Sequence, residues 1–258
     1  TNLDAITLGE GAEAAATKAA GCWTMHRTPD TTPTLTLEKK LGSLQGSATG
    51  FPTVNDWTLT ATETVADGEM PKVITGKTTE ADVQSVPVAA GDEYSLSEAY
   101  AGTGDVEGLG DNYVGAWDCT VKYGDGEGTE HPINEGKVEI PDDVDGVTAD
   151  VTCTVTNSTA LLTVFKNVEG DTDGDLSNMW TLTAEPAADT SLSLTDRTWK
   201  GKWVADTGPT EEQQAAVTTD LVRTGHNYTL SESNVAGYTQ VKLQKWDPED
   251  GGSWVDVT

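Results

Sequence analysis

The chain has 258 residues, 36% of them hydrophobic, with 43 acidic against 15 basic side chains and a formal charge of −28. That is enough apolar material for one large core or two ordinary ones. The negative surface excludes nucleic acid and repels anionic lipid, because phosphate contacts rest on Lys and Arg. No apolar run approaches the roughly 20 residues that cross a bilayer, so direct membrane insertion is not expected, and the first residues show no signal-peptide succession.

In chain order, the first segment is "AITLGEGAEAAATKAAGCWTMHR", Ala5 to Arg27. It reads as a short strand, a polar bend with a turn or two of helix, and a strand bearing Cys22. From Thr34 onward the runs are short, alternate with period two, and are broken by Gly, Pro, Asn and Asp clusters such as "YGDGEGTEHP" and "EGDTDGDLSN". The elements then recur in the same order. "LTLEKK" from Leu35 returns as "LTVFKN" from Leu162, "WTLTA" from Trp57 returns from Trp180, "YSLSEAY" from Tyr94 returns as "YTLSES" from Tyr228, and "WDC" at Trp117 answers to "WDP" at Trp246.

The pattern predicts an all-β protein of tandem Ig-like antiparallel β-sandwiches with about seven strands per unit. The expected boundaries are 1–31 for the last strands of a preceding unit, 32–159 for a complete unit, and 160–258 for a second. The first copy continues into "KVEIPDDVDGVTADVTCTVTN", which has no counterpart in the second. Two readings of that offset stand: a segment cut without regard to unit borders, or an N-terminal hairpin that completes a neighbouring molecule by β-strand donation.

Parity along a strand shows which side chains share a face. Leu35, Leu37 and Lys39 share the apolar face of the opening strand, Tyr94, Leu96, Glu98 and Tyr100 that of a middle strand, and Val151, Cys153, Val155 and Asn157 that of the closing strand. The second copy repeats the first two rows with Lys166 and Glu232. An isolated buried charge costs many kcal/mol unless paired or neutralised. Each residue has an ordinary account, with Lys39 snorkelling, Glu98 capping a bend and Asn157 opening a turn. The coincidence of three parities, and the return of two of them, favours a shared purpose.

A lysine amine among apolar neighbours loses its proton easily and becomes a nucleophile. A glutamate in the same pocket is pushed toward its protonated form, so it can polarise the asparagine carbonyl and carry protons. Folding holds amine and amide together at an effective concentration of about 10⁵ M or more. The expected product is a Lys39–Asn157 isopeptide bond with loss of ammonia.

"LTLEK", "YSLSE" and "VTCTVTN" resemble the first, middle and last strand motifs of the collagen-adhesin B-type, prealbumin-like (SpaA-like) repeat domains of Gram-positive surface proteins and pilins, and "WTLTA", "WDC" and "CTVTN" are most similar to actinobacterial repeats. The resemblance covers nearly all of 34–157 and, less completely, 160 to about 246. It implies that Lys39 and Asn157 form the cross-link, that Glu98 catalyses it, and that Lys166 and Glu232 hold the same roles in the second unit, whose asparagine is missing. If a neighbour's hairpin completed that unit, the acceptor position would fall on His26, which cannot accept the amine.

Cys119 and Cys153 fall on late strands of one unit, and an oxidising location would join them; two buried thiols are the alternative. Cys22 has no mate, because Pro248 stands where Cys119 does, which places its partner upstream and favours the cut segment. Asp171, Asp173 and Asp175 have the odd-position spacing of a calcium loop, but Leu176 and Leu182 replace the expected glycine and glutamate, so a solvated acidic turn fits better. "GEMPKV" around Lys72 is only a faint sortase-type motif, and the sequons at Asn157 and Asn227 are incidental in a bacterial protein. His26, His131 and His226 are scattered, no nucleophile elbow or phosphate loop appears, and no motif asks for a cofactor.

The expected role is a structural array in an extracellular adhesin stalk or pilus-like fibre on a bacterial cell surface, with neighbouring modules or subunits as partners. Two alternatives differ in class. One is an adhesin head that binds a host protein or glycan through aromatic loops with Trp199, Trp203 and Trp254, and the other is a filament subunit joined by strand donation.

Overall fold

The structure is a computed structural model that describes residues 32–42, 52–102, 109–170, 176–202, 204, 220–247 and 253–257. The N-terminal segment with Cys22 and His26, the triad Asp171, Asp173 and Asp175, and Trp203 lie outside these residues. The first half contains β1 (Thr34–Leu41), β2 (Trp57–Glu63), β3 (Val73–Gly76), β4 (Val86–Pro87), β5 (Glu93–Tyr100), β6 (Val114–Tyr123), β7 (Thr129–His131), β8 (Ile133–Asn134), β9 (Lys137–Glu139) and β10 (Ala149–Ser158). The second contains β11 (Ala160–Leu162), β12 (Thr181–Pro186), β13 (Arg197–Lys200), β14 (Asp220–Val222), β15 (Tyr228–Glu232), β16 (Gln244–Asp247) and β17 (Ser253–Asp256).

Ten strands of the first half form two five-stranded sheets, in the orders β4-β1-β10-β6-β7 and β3-β2-β5-β9-β8. The alternation foreseen from sequence is what packs them. Leu35, Leu37, Val151, Cys153, Val155, Cys119 and Val121 from the first sheet meet Leu59, Ala61, Ile74, Tyr94, Leu96 and Val138 from the second in one core. Each fully buried Leu or Val there contributes about 1.5–3 kcal/mol by leaving water. Among the described residues of this half all pairings are antiparallel but one: β1 and β10, its first and last strands, run parallel, with Lys39 opposite Val155 and Leu41 opposite Asn157. The first and last strands are thereby side by side at the centre of one sheet.

In the second half, β12 lies between β13 and β15, β11 pairs with β14, and β16 pairs with β17. Its smaller core gathers Val168, Trp180, Leu182, Ala184 and Trp199. The two halves meet at the turn before β6. Arg223 donates through Nη1 to the carbonyls of Asp111 and Tyr113 at 2.6 and 2.7 Å, and the Thr159 hydroxyl lies 2.9 Å from both the Asn112 and the Val222 carbonyl oxygens.

Cys119 and Cys153 are register partners on β6 and β10 and are joined by a disulfide, with Cα atoms 4.1 Å apart and a sequence separation of 34. Closing a loop of that size restricts the unfolded chain and contributes about 3–4 kcal/mol in the chain-entropy account. Replacing both cysteines by serine is expected to lower the unfolding free energy of the Lys39→Ala protein by about that amount in a urea titration; an unchanged midpoint would show that the bridge adds nothing to the sheet pairing.

Candidate functional site

The site lies between the sheets at one end of the first sandwich. Lys39 is the last inward residue of the buried row on β1, and its side chain is wholly enclosed. From the opposite sheet, Glu98 on β5 brings Oε2 to 2.5 Å from the Lys39 Nζ, with its own side chain 14% exposed. Trp57, at the start of β2, places its ring beneath the amine, 4.4 Å from Nζ to the centroid. Tyr100 and Tyr113 pack edge-on against that indole at 5.2 and 5.5 Å and hold it in place. Burial pushes the Tyr113 phenol up to about 12, with the nearby Tyr100 adding to it, so Tyr113 stays neutral.

Asn157 is on β10, diagonal to Lys39 across the parallel pair and on the same inward face, as the burial of alternate residues shows. A long side chain can span such a diagonal. The residue is 0% exposed, and neither Oδ1 nor Nδ2 has a hydrogen-bond partner. Leaving a buried polar group unpaired costs about 1–3 kcal/mol. Its register partner on β6 is Gly115. An ideal Cβ added there would overlap Glu98 Oε1 and stand 2.9 Å from Asn157 Oδ1, so acid and carboxamide oxygens converge on one point. The coordinates thus place Lys39, Glu98 and Asn157 at one end of the sandwich, with Lys39 and Asn157 buried and Glu98 partly exposed.

Electrostatics favour a reactive amine. Desolvation is the largest influence on Lys39 and lowers its pKa from the ordinary 10.5, against the opposing hydrogen bond and charge of Glu98. The second module repeats the arrangement more loosely. Lys166 Nζ is 2.6 Å from Glu232 Oε2 and 4.7 Å from the Trp180 centroid, with the two side chains 15% and 18% exposed. The strand expected through Lys166 ends at Leu162, and the lysine is held instead by its backbone N–H, which donates to the Lys202 carbonyl at 2.9 Å. Leu230, expected to face inward, is 36% exposed opposite the small Ala184.

Parity did not single out Trp57, Trp180 or Gly115. The signals were present: the tryptophans open the repeated "WTLTA", and Gly115 leaves a gap in the inward row of β6 ahead of Trp117, Cys119 and Val121. The tryptophan cluster expected of an adhesin head does not assemble among the described residues, because Trp199 is 5% exposed and belongs to the second core. Nor is any group of His, Cys, Asp or Glu placed to hold a metal among the described residues.

The first module thus combines two packed sheets, a disulfide within one of them and an inward lysine–glutamate pair. A SpaA-type family described as a prealbumin-like fold domain matches residues 34–159, and a second of the same description matches 157–257; the chain belongs to this prealbumin-like group of structural domains. No curated protein and no solved structure matches it.

Asn157→Ala removes the carboxamide diagonal to the amine and leaves Lys39 a simple titrating group. Its folded-state pKa is depressed, so the unfolded chain binds the proton more tightly and stability rises with pH toward lysine's ordinary 10.5. The stability of Asn157→Ala relative to Asn157→Ala/Lys39→Met should therefore climb as pH is raised. A flat or falling difference in chemical denaturation would mean that the pairing with Glu98 outweighs desolvation.

Proposed function

We propose that this chain is part of an adhesin stalk or pilus-like fibre on a bacterial cell surface, and that its first module is fastened by an isopeptide bond between Lys39 and Asn157, formed with Glu98 as the acid–base group. The observation that carries the reading is a fully buried carboxamide without a hydrogen-bond partner, set beside an enclosed amine that is paired to a carboxylate. Reaction removes the orphaned amino group of Asn157 altogether. The family match to prealbumin-like domains and the disulfide support a stalk module in an oxidising, extracellular setting. The same assignment makes residues 32–159 one unit and 160–258 a second, with Lys166 and Glu232 in the corresponding roles.

The chemistry balances within the module. Lys39 gives a proton to Glu98, and its Nζ lone pair attacks Cγ of Asn157, forming the new C–N bond. Glu98 passes that proton to Nδ2, the Cγ–Nδ2 bond breaks and ammonia leaves, while the second proton shed by Nζ as the amide forms is taken up by the Glu98 carboxylate. No oxidant, metal or cofactor enters the balance.

The intact mass of the denatured, reduced protein is expected to fall short of the sequence mass by one ammonia, and Lys39→Ala or Glu98→Ala should restore it. A full mass in the parent would overturn the cross-link. Under force, single-molecule pulling should release the stretch between Lys39 and Asn157 only in Asn157→Ala, whereas the parent module keeps it folded; release of that length from the parent would show that no covalent path exists.

A further inference from the structure

Gly115 stands at an inward position of β6, in the row continued by the half-buried Trp117 and the buried Cys119 and Val121. Its backbone is not among those with positive φ, so conformational freedom does not explain the residue. What it supplies is room. An ideal Cβ would overlap Glu98 Oε1, stand 2.9 Å from Asn157 Oδ1 and lie 3.1 Å from Val155 Cγ2. Gly115 is also exposed, so the wall of the site is thinnest where these oxygens meet. The glycine is not a feature of the repeat: with Trp117 aligned on Trp246, the second module carries Gln244 at this position.

We propose that Gly115 is a positioning residue for the Lys39–Asn157 cross-link, its missing side chain forming the slot in which one carboxyl group serves both the amine and the carboxamide. The inference rests on the cross-link reading given under Proposed function. Glu98 Oε2 holds the amine at 2.5 Å while Oε1 lies over Gly115 beside the Asn157 amide. A proton taken from Nζ on Oε2 then leaves an acid whose other oxygen stands on the Asn157 Oδ1 side of the pocket, so the carboxyl can polarise the carbonyl and pass the proton on to Nδ2 without crossing the pocket. Ammonia, the leaving group, exits over the exposed glycine. A methyl group here displaces the flexible end of the glutamate, not the backbone, so it costs alignment before it costs folding.

The test follows ammonia loss by intact mass in freshly synthesised protein. Gly115→Ala is expected to form the cross-link on the order of 100-fold more slowly than the parent, the scale of a misplacement of about 1 Å in a near-attack geometry, with the Cys119–Cys153 disulfide still formed. Ala116→Ser, on the neighbouring outward position, should react at the parental rate. In the Lys39→Ala background, where there is no reaction to position, Gly115→Ala should leave the melting temperature unchanged, a result a merely structural glycine would not give. A cross-linked parent with an equally fast Gly115→Ala variant, or a lowered melting temperature in the Lys39→Ala background, overturns the role of the glycine alone. A parent that keeps its ammonia overturns the cross-link and this role with it.

Discussion

Burying the Lys39 amine is the constraint around which one end of the first sandwich is built. A charge taken out of water must be paired, wrapped in polarizable surface or discharged. The structure applies the first two through Glu98 at 2.5 Å and the face of Trp57 at 4.4 Å, yet desolvation still wins and lowers the amine's affinity for its proton. That imbalance is costly if the group is only structural. It becomes useful if a neutral amine is what the site needs, and the unpartnered Asn157 amide beside it is a group for such an amine to meet.

The parallel pairing of β1 and β10 makes this meeting possible. An antiparallel closing strand would bring the far end of β10 beside Lys39, whereas the parallel register sets Leu41 against Asn157 and leaves lysine and asparagine as diagonal neighbours on one face. The Cys119–Cys153 bridge then fixes β10 to β6 two inward positions from Asn157, and β6 delivers Gly115 against the same residue. Local alternation, sheet order and site chemistry are therefore one arrangement. A register slip of a single residue would turn Asn157 outward and undo it.

Much of this was legible in the sequence because period-two patterning is strict on β1 and β10, where a charged or amide residue inside an apolar row stands out: Leu35, Leu37, Lys39 and Val151, Cys153, Val155, Asn157 are all buried. Parity cannot supply which strands are neighbours or whether they run parallel, since those depend on contacts more than a hundred residues apart. It is also blind to functions carried by absence or by aromatic faces. Gly115 acts by what it lacks, and Trp57 reads as an ordinary core residue until the amine is seen above it. In the second half the short β11 breaks the expected row before Lys166, so repetition of letters there outran repetition of strand geometry.

The contrast between the modules bears on why the first is built so tightly. Both pair a lysine with a glutamate over a tryptophan, but Lys39 is wholly enclosed while the side chains of Lys166 and Glu232 remain 15% and 18% exposed. The second pair is thus less withdrawn from solvent than the first. Tension entering the first module at β1 and leaving at β10 would travel along two adjacent parallel strands, where hydrogen bonds are loaded in shear. A covalent link between Lys39 and Asn157, both toward the C-terminal ends of their strands, would carry that load past the core and leave the disulfide and the two sheets outside the force path. The enclosure of the Lys39 amine over Trp57, whose ring Tyr100 and Tyr113 hold edge-on, would then be the condition for forming that link.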